Sequence, residues 1–190
     1  MNGILLTIAL SALLTLQTNA FMSKLKDMYV TDFHISKCYS NDTEAITVED
    51  VEINIGPSMK VHVSGTLIAS RDLESPIMAE VVVKRSTWFG WLKIACIDNV
   101  GSCNFEDLCE FGYPPDEGCP PDFKEYNVPC RCPIKKGNYT LPSTMLDFMS
   151  ESSVLSGKYK GSVVMTHLDE RLACYNMYFT LKDKELENRP

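Results

Sequence analysis

The side chains able to do chemistry are few. The chain has three histidines, His34, His62 and His167. His62 falls on the polar face of a predicted strand and His167 beside a predicted turn, so both are expected in solvent. There is no G-x-S-x-G elbow, H-E-x-x-H helix, Walker loop or dinucleotide fingerprint. Glu49-Asp50 and Asp169-Glu170 bring carboxylates together in sequence. Neighbours on a strand or turn point different ways, whereas an acid pair must flank one bond. Eight cysteines are the remaining reactive type. Cys130-Arg131-Cys132 would suit a metal in principle, yet the paired C-x-x-C spacing of zinc sites is missing. An even count in a secreted chain reads as a disulfide framework whose connectivity stays open. Catalytic residues, a metal and a cofactor are therefore not expected.

A different chemistry is written in Trp88-Phe89-Gly90-Trp91, preceded by Lys84-Arg85. Both tryptophans of the chain lie in this cluster, at a strand-to-strand connection. A tryptophan ring is apolar but its N–H wants a partner, which suits a membrane–water interface. The adjoining cations add attraction to anionic headgroups. Trp88 and Phe89 are expected to be exposed for that purpose. Trp91 begins a strand and reads equally as core or as part of the same surface. A second apolar segment, Ser143 to Ser156, carries Met145, Leu146, Phe148, Met149, Val154 and Leu155 without strand alternation. It reads as a core-covering loop or as a mobile flap at a lipid opening.

These groups must be carried by a secreted fold. Ile4 to Leu16 are apolar and are followed by Gln17-Thr18-Asn19-Ala20, the pattern of a signal peptide over residues 1–20, although no Lys or Arg precedes it. A spanning helix needs about 20 apolar residues, and this run is shorter. Residues 21–190 then suit one domain. The sequons Asn41-Asp42-Thr43 and Asn138-Tyr139-Thr140 fit the secretory route as glycosylation sites at Asn41 and Asn138. Lys182-Asp183-Lys184-Glu185-Leu186 is not C-terminal, so it is no retention signal. A net charge of −7 excludes a nucleic-acid binder that works by counterion release. It also repels an anionic membrane at neutral pH, less so in an acidic compartment near the isoelectric point of about 5.0.

The elements are predicted as strands. Ile46 and Val48, then Val51, Ile53 and Ile55, alternate with polar residues, and the phase shift at Glu49-Asp50 predicts a bulge. Met59, Val61, Val63 and Leu67 share one face of the next strand, opposite Lys60, His62 and Ser64. Gly56-Pro57 makes the two a hairpin. Val81-Val82-Val83 reads as a strand covered on both faces, and Trp91 to Cys96 as another. Lys158 to Thr166 and Leu172 to Leu181 pair through the turn Leu168-Asp169-Glu170-Arg171. Between Cys96 and Cys132 the texture changes. Asn104 to Phe111 is expected as a short helix, and Pro114-Pro115 and Pro120-Pro121 to forbid regular structure after it.

That cysteine-rich stretch resembles a known family. Trp91-Leu92-Lys93-Ile94-Ala95-Cys96, Gly101-Ser102-Cys103-Asn104-Phe105-Glu106 with Cys109, and Val128-Pro129-Cys130-Arg131-Cys132-Pro133 are similar to the ganglioside activators of lysosomes. So are Lys136-Gly137-Asn138-Tyr139-Thr140-Leu141-Pro142, Gly157-Lys158-Tyr159 and Arg171-Leu172-Ala173-Cys174. Phe21 to Lys84 match only in strand pattern and Cys38. The resemblance implies an all-β, single-domain antiparallel cup or sandwich of the ML-type lipid-recognition group, enclosing an apolar cavity. It implies the bridges Cys38–Cys174, Cys96–Cys103, Cys109–Cys132 and Cys119–Cys130. It implies a non-catalytic cofactor of β-hexosaminidase that binds sphingolipid or phospholipid at a membrane surface, in the lysosomal lumen or outside the cell. The alternative is a secreted lipid carrier or extracellular signal without a hydrolase partner. Where the family carries a tryptophan before the Gly-x-Tyr strand, Ser152-Ser153-Val154-Leu155-Ser156 has none.

Overall fold

The structure of the protein, a computed structural model, describes residues 28–39, 44–55, 60–147 and 156–183. The strands are β1 (Met28–Lys37), β2 (Ile46–Ile55), β3 (Lys60–Ala69), β4 (Met78–Thr87), β5 (Gly90–Lys93), β6 (Asn104–Phe105), β7 (Gly137–Asp147), β8 (Gly157–His167) and β9 (Glu170–Asp183). They form two antiparallel sheets. The larger runs β1-β9-β8-β4-β5, with β6 paired to the start of β4; the smaller runs β2-β3-β7.

The alternation of apolar residues dictates the faces. Ile46 and Val48 stand opposite Ala69 and Leu67, and the register then slips between Glu49 and Glu52 before Ile53 and Ile55 meet Val63 and Val61. The slip is the expected bulge, and Asp50 takes a positive φ of 50° there. Without the extra residue, Ile53 would turn outward. The β8–β9 hairpin closes through Leu168 and Asp169, whose φ angles of 46° and 66° suit a two-residue turn that follows the strand twist.

The two sheets share a buried core at one end. There Ala45, Ile46, Ala69, Leu73, Ile77, Leu172, Ala173 and Tyr175 form a buried cluster. Polar ties fix the same end. The Val48 N–H donates to the Tyr175 hydroxyl at 2.9 Å, and buried Glu44 accepts from the Cys174 N–H at 2.8 Å. The Cys38 N–H donates to the Cys174 carbonyl at 2.9 Å, beside the Cys38–Cys174 bridge.

The other bridges order the segment between β5 and β7: Cys96–Cys103, Cys109–Cys132 and Cys119–Cys130. All four pairs are those that the family resemblance implies. Leu108, Cys109, Cys132 and Ile134 pack this segment onto the core, and Leu73 and Ile134 exchange backbone hydrogen bonds of 2.8 and 2.9 Å. Three expectations need correction here. The strand expected from Trp91 to Cys96 ends at Lys93, because Ile94 leaves β5 and Ala95 bridges to Ser102 in a tight disulfide loop. Gly101 is obligatory in that loop, since a Cβ there would come within 2.2 Å of the Ala95 carbonyl. The helix expected from Asn104 to Phe111 is divided, because Asn104 and Phe105 pair with Glu80 and Ala79 of β4 and only Leu108–Phe111 coil, as a 3-10 turn. The prolines do not forbid regular structure: helix α1 (Pro121–Glu125) opens on Pro121, where a missing N–H has no helical partner to lose.

Asp107 joins the 3-10 turn to the base of β4. It accepts from the Cys109 and Ile77 N–H groups, both at 2.9 Å, and from the Ser75 hydroxyl. Burial pushes its carboxyl up, but the bonds from Ser75, Ile77 and Cys109 and the nearby His167 charge together hold it below the ordinary carboxylate range. Asp107→Ala should lower the unfolding free energy in urea by about 1–2 kcal/mol, the worth of a cap and its companion bonds. A depressed folded-state pKa contributes stability that is complete above the unfolded value of about 4 and is lost as pH falls through the folded one. The difference between wild type and variant should therefore persist at mildly acidic pH and shrink only below about pH 4. A difference that vanished already at neutral pH would remove Asp107 from this role.

Candidate lipid-binding site

Away from the buried end the sheets part. The rows that face the opposite sheet are almost wholly apolar. On the larger sheet they comprise Ala79, Val81 and Val83 of β4, Tyr159, Gly161, Val163 and Met165 of β8, and Ala173 to Leu181 in alternation on β9. On the smaller sheet they include Val61, Val63 and Leu67. In a solid sandwich such inward residues would be buried. Here Val61, Val63, Leu67, Val81, Val83, Val163, Met177 and Phe179 stay half-buried. Apolar surface thus stays accessible in the cleft between the sheets, although Tyr159 and Leu181 of the same rows are buried. Tyr159 and Phe179 stack at 5.1 Å near its wide end.

That end is formed by the C-terminal half of β4, the start of β8 and the end of β9, together with the adjoining ends of β2, β3 and β7. The β4–β5 hairpin projects from it. Trp88 is 95% exposed and Phe89 63% exposed, their rings packed edge to face at 5.2 Å. The Thr87 hydroxyl closes the turn by donating to the Gly90 carbonyl at 2.6 Å. Trp91, for which core and surface were equally expected, is 40% exposed on the outward face, with Lys160 Nζ 4.4 Å from its ring centre. Lys84 and Lys93 stand opposite one another, and Lys84 opposite Lys160, so the strands beside Trp91 carry three lysines, of which Lys160 covers the indole.

Other expected residues are placed less fully. Met145 and Leu146 lie on β7, opposite His62 and Val61, where the sequence promised no strand. Phe148, Met149, Val154 and Leu155 lie outside the described residues, as do Asn41 and residues 1–20. Asn138 is exposed on β7. His167 is not simply solvated: it is half-buried, with Nδ1 2.8 Å from the Pro76 carbonyl.

A second, polar cleft of about 110 Å3 lies at the closed end, lined by Arg71, Asp72, Leu73, Glu74, His167 and Leu172. Arg71 is paired with Glu170 at 2.7 Å and Lys135 with Asp72 at 2.8 Å. The Lys135 bond and the Lys136 N–H hold the Asp72 carboxyl below its usual range. These charges are committed to one another, and the cleft is too small and polar for an acyl chain. Among the described residues no group of three or more His, Cys, Asp or Glu side chains is arranged to hold a metal, and no helix is long and apolar enough to cross a membrane.

A disulfide-stapled pair of antiparallel sheets, closed at one end and parted over apolar faces at the other, defines a β-cup. Residues 32–181 match the ML domain, E1_DerP2_DerF2. The chain belongs to this family, a lipid-binding domain. Two relatives are each named ganglioside GM2 activator. The protein of Macaca fascicularis is 33% identical over 73% of this chain and 75% of its own, and that of Mus musculus 29% identical over 74% and 75%. A Niemann-Pick type C2 protein from the Japanese carpenter ant aligns with 80% of this chain and 92% of its own. It shares 15% identity at a TM-score of 0.30, too low for the likeness to bear on the fold.

Proposed function

We propose that this protein holds a sphingolipid or phospholipid between its sheets, draws it from a membrane, and presents its headgroup to a soluble hydrolase such as a β-hexosaminidase. The observation that carries the reading is that the inward apolar residues Val61, Val63, Val81, Val83, Val163, Met177 and Phe179 stay half-buried. Exposing acyl chains to water costs about 0.8 kcal/mol per methylene. Transfer from bilayer to a dry cleft leaves that term near zero, so headgroup and surface contacts decide the direction. The relatives' name, ganglioside GM2 activator, supports a glycolipid as cargo and activation as the purpose.

Charge supports the orientation. Lys84, Lys93, Lys158 and Lys160 gather near the open end, while Glu106, Glu110, Asp116, Glu117, Asp122 and Glu125 lie in the disulfide-rich segment, which packs at the closed end. An overall acidic chain can thus turn a basic mouth to an anionic bilayer. The secretory leader over residues 1–20 and glycosylation at Asn41 and Asn138 belong to the same reading, with action in the lysosomal lumen or outside the cell.

The test uses a ganglioside in liposomes, a lysosomal β-hexosaminidase and mildly acidic pH, with and without this protein. Hydrolysis should rise with the embedded substrate and stay unchanged with a water-soluble one. Lipid transfer between vesicles without stimulation would replace the hydrolase partner with a carrier role. Hydrolysis without added hexosaminidase would overturn the reading.

A further inference from the structure

We infer that Arg85 anchors the headgroup of the bound lipid, and that the preferred ligand therefore carries an oxyanion: a carboxylate or a phosphate. The inference rests on the lipid-binding reading above and names the headgroup chemistry of that same site.

Register places Arg85 within the cup. It stands opposite Tyr159 on β8 and Leu92 on β5, in the row of Ala79, Val81 and Val83 that faces the smaller sheet. Its neighbour Lys84 stands opposite Lys160 and Lys93 on the outward face. One cation thus ends an otherwise apolar inward row, at the level where a headgroup would leave the cleft. Arg85 Nη2 donates to the Ser156 carbonyl at 2.7 Å, which holds the guanidinium against the start of β8. Gly157 leaves room for it, since a Cβ there would come within 3.2 Å of Arg85 Nε.

The guanidinium is not satisfied by this arrangement. Nε is buried and has no hydrogen-bond partner, and among the described side chains none forms an ion pair with Arg85. A buried donor of a charged group left unpaired is costly, and a guanidinium matches the fork of a carboxylate or phosphate. An anionic headgroup at the mouth would bring the missing acceptor. A neutral one would leave Nε as it is.

Two pairs of lipids test this: phosphatidylglycerol against diacylglycerol of the same chains, and a ganglioside against its asialo form. Each is offered in vesicles to the wild type, Arg85→Gln and Arg85→Lys, and protein-bound lipid is counted by native mass spectrometry. The wild type should favour the anionic member of at least one pair by about tenfold, the worth of a charge-assisted contact. The pair that shows the preference separates phosphate from carboxylate. Arg85→Gln should erase the preference without reducing uptake of the neutral lipid, and Arg85→Lys should restore part of it. A wild type that takes up lipid without preference overturns the inference, and so does Arg85→Gln losing neutral and anionic lipid alike. A wild type that retains no lipid at all removes the lipid-binding reading, and the inference with it.

Discussion

Replacing both Cys38 and Cys174 by alanine should lower the unfolding free energy by about 5 kcal/mol, the largest stability loss of any single bridge. The pair is separated by 136 residues, against 7, 23 and 11 for the other three. In the chain-entropy account the unfolded state gains freedom with the logarithm of the opened loop, so the shortest bridge should be worth only about half as much. A domain stable by about 5–15 kcal/mol loses a third or more of that margin. Native geometry argues for little compensating relief. The Cys38 N–H already bonds the Cys174 carbonyl at 2.9 Å, and Glu44 holds the Cys174 N–H from the other side. Guanidinium unfolding of wild type and double variant measures the difference, and a steeper denaturant dependence is expected because the unreduced wild type is more compact when unfolded. A loss below about 1 kcal/mol would show that the β1–β9 hydrogen bonds alone hold the ends together, and would sink the entropic account.

The strands were legible wherever one face meets the core and the other water. The slip at Glu49-Asp50 could be read because a change of phase is the only way to keep Ile46, Val48, Ile53 and Ile55 on one face. The β8–β9 hairpin was equally legible from its turn. What sequence could not supply was decided by contacts far along the chain. Asn104 and Phe105 have helical neighbours, yet become a strand because Ala79 and Glu80 offer them an edge. Pro120-Pro121 reads as a breaker, but the first position of a helix has no bond for proline to remove. Ile94 ends β5 because, although its N–H still bonds the Val83 carbonyl, the Ser102 hydroxyl takes the Val83 N–H and the Ser102 N–H takes the Ile94 carbonyl, in a loop closed by Cys96 and Cys103.

The site divides in the same way. Trp88 and Phe89 stood out by density alone, and their hairpin leaves them exposed. Arg85 did not stand out. Lys84 and Arg85 follow a run of valines that is apolar on both faces, so nothing local says which cation points inward. Only the pairing of β4 with β8, set by Val81 opposite Val163 and Gly161 opposite Val83, assigns Arg85 to the cup and Lys84 to the outside. An alternation that begins in a two-sided apolar run has no visible phase until its partner strand is known.

The substitution with the largest expected effect on membrane contact is Trp88→Ala with Phe89→Ala. Both side chains are mostly exposed, so their loss should change folding stability by no more than about 0.5 kcal/mol. In the wild type both rings stand exposed, and a bilayer would bury them. Full burial of such a ring is worth about 1.5–3 kcal/mol, and an interface position recovers part of that for each. The pair together should contribute about 3 kcal/mol, or roughly a hundredfold in partition onto anionic vesicles. Lys84, Lys93 and Lys160 beside Trp91 should leave a residual, salt-sensitive attraction in the variant. Emission separates the two contributions, because Trp88 and Trp91 are the only tryptophans. The wild type should shift to the blue on adding vesicles, Trp88→Phe should retain a smaller shift from Trp91, and the double alanine variant should need far more lipid to show any. Vesicle flotation gives the partition directly. If the double variant floats with the same lipid dependence as the wild type, the hairpin is not the membrane anchor. Contact would then have to come from another part of the mouth, where the β7 end carrying Met145 and Leu146 stands opposite β3.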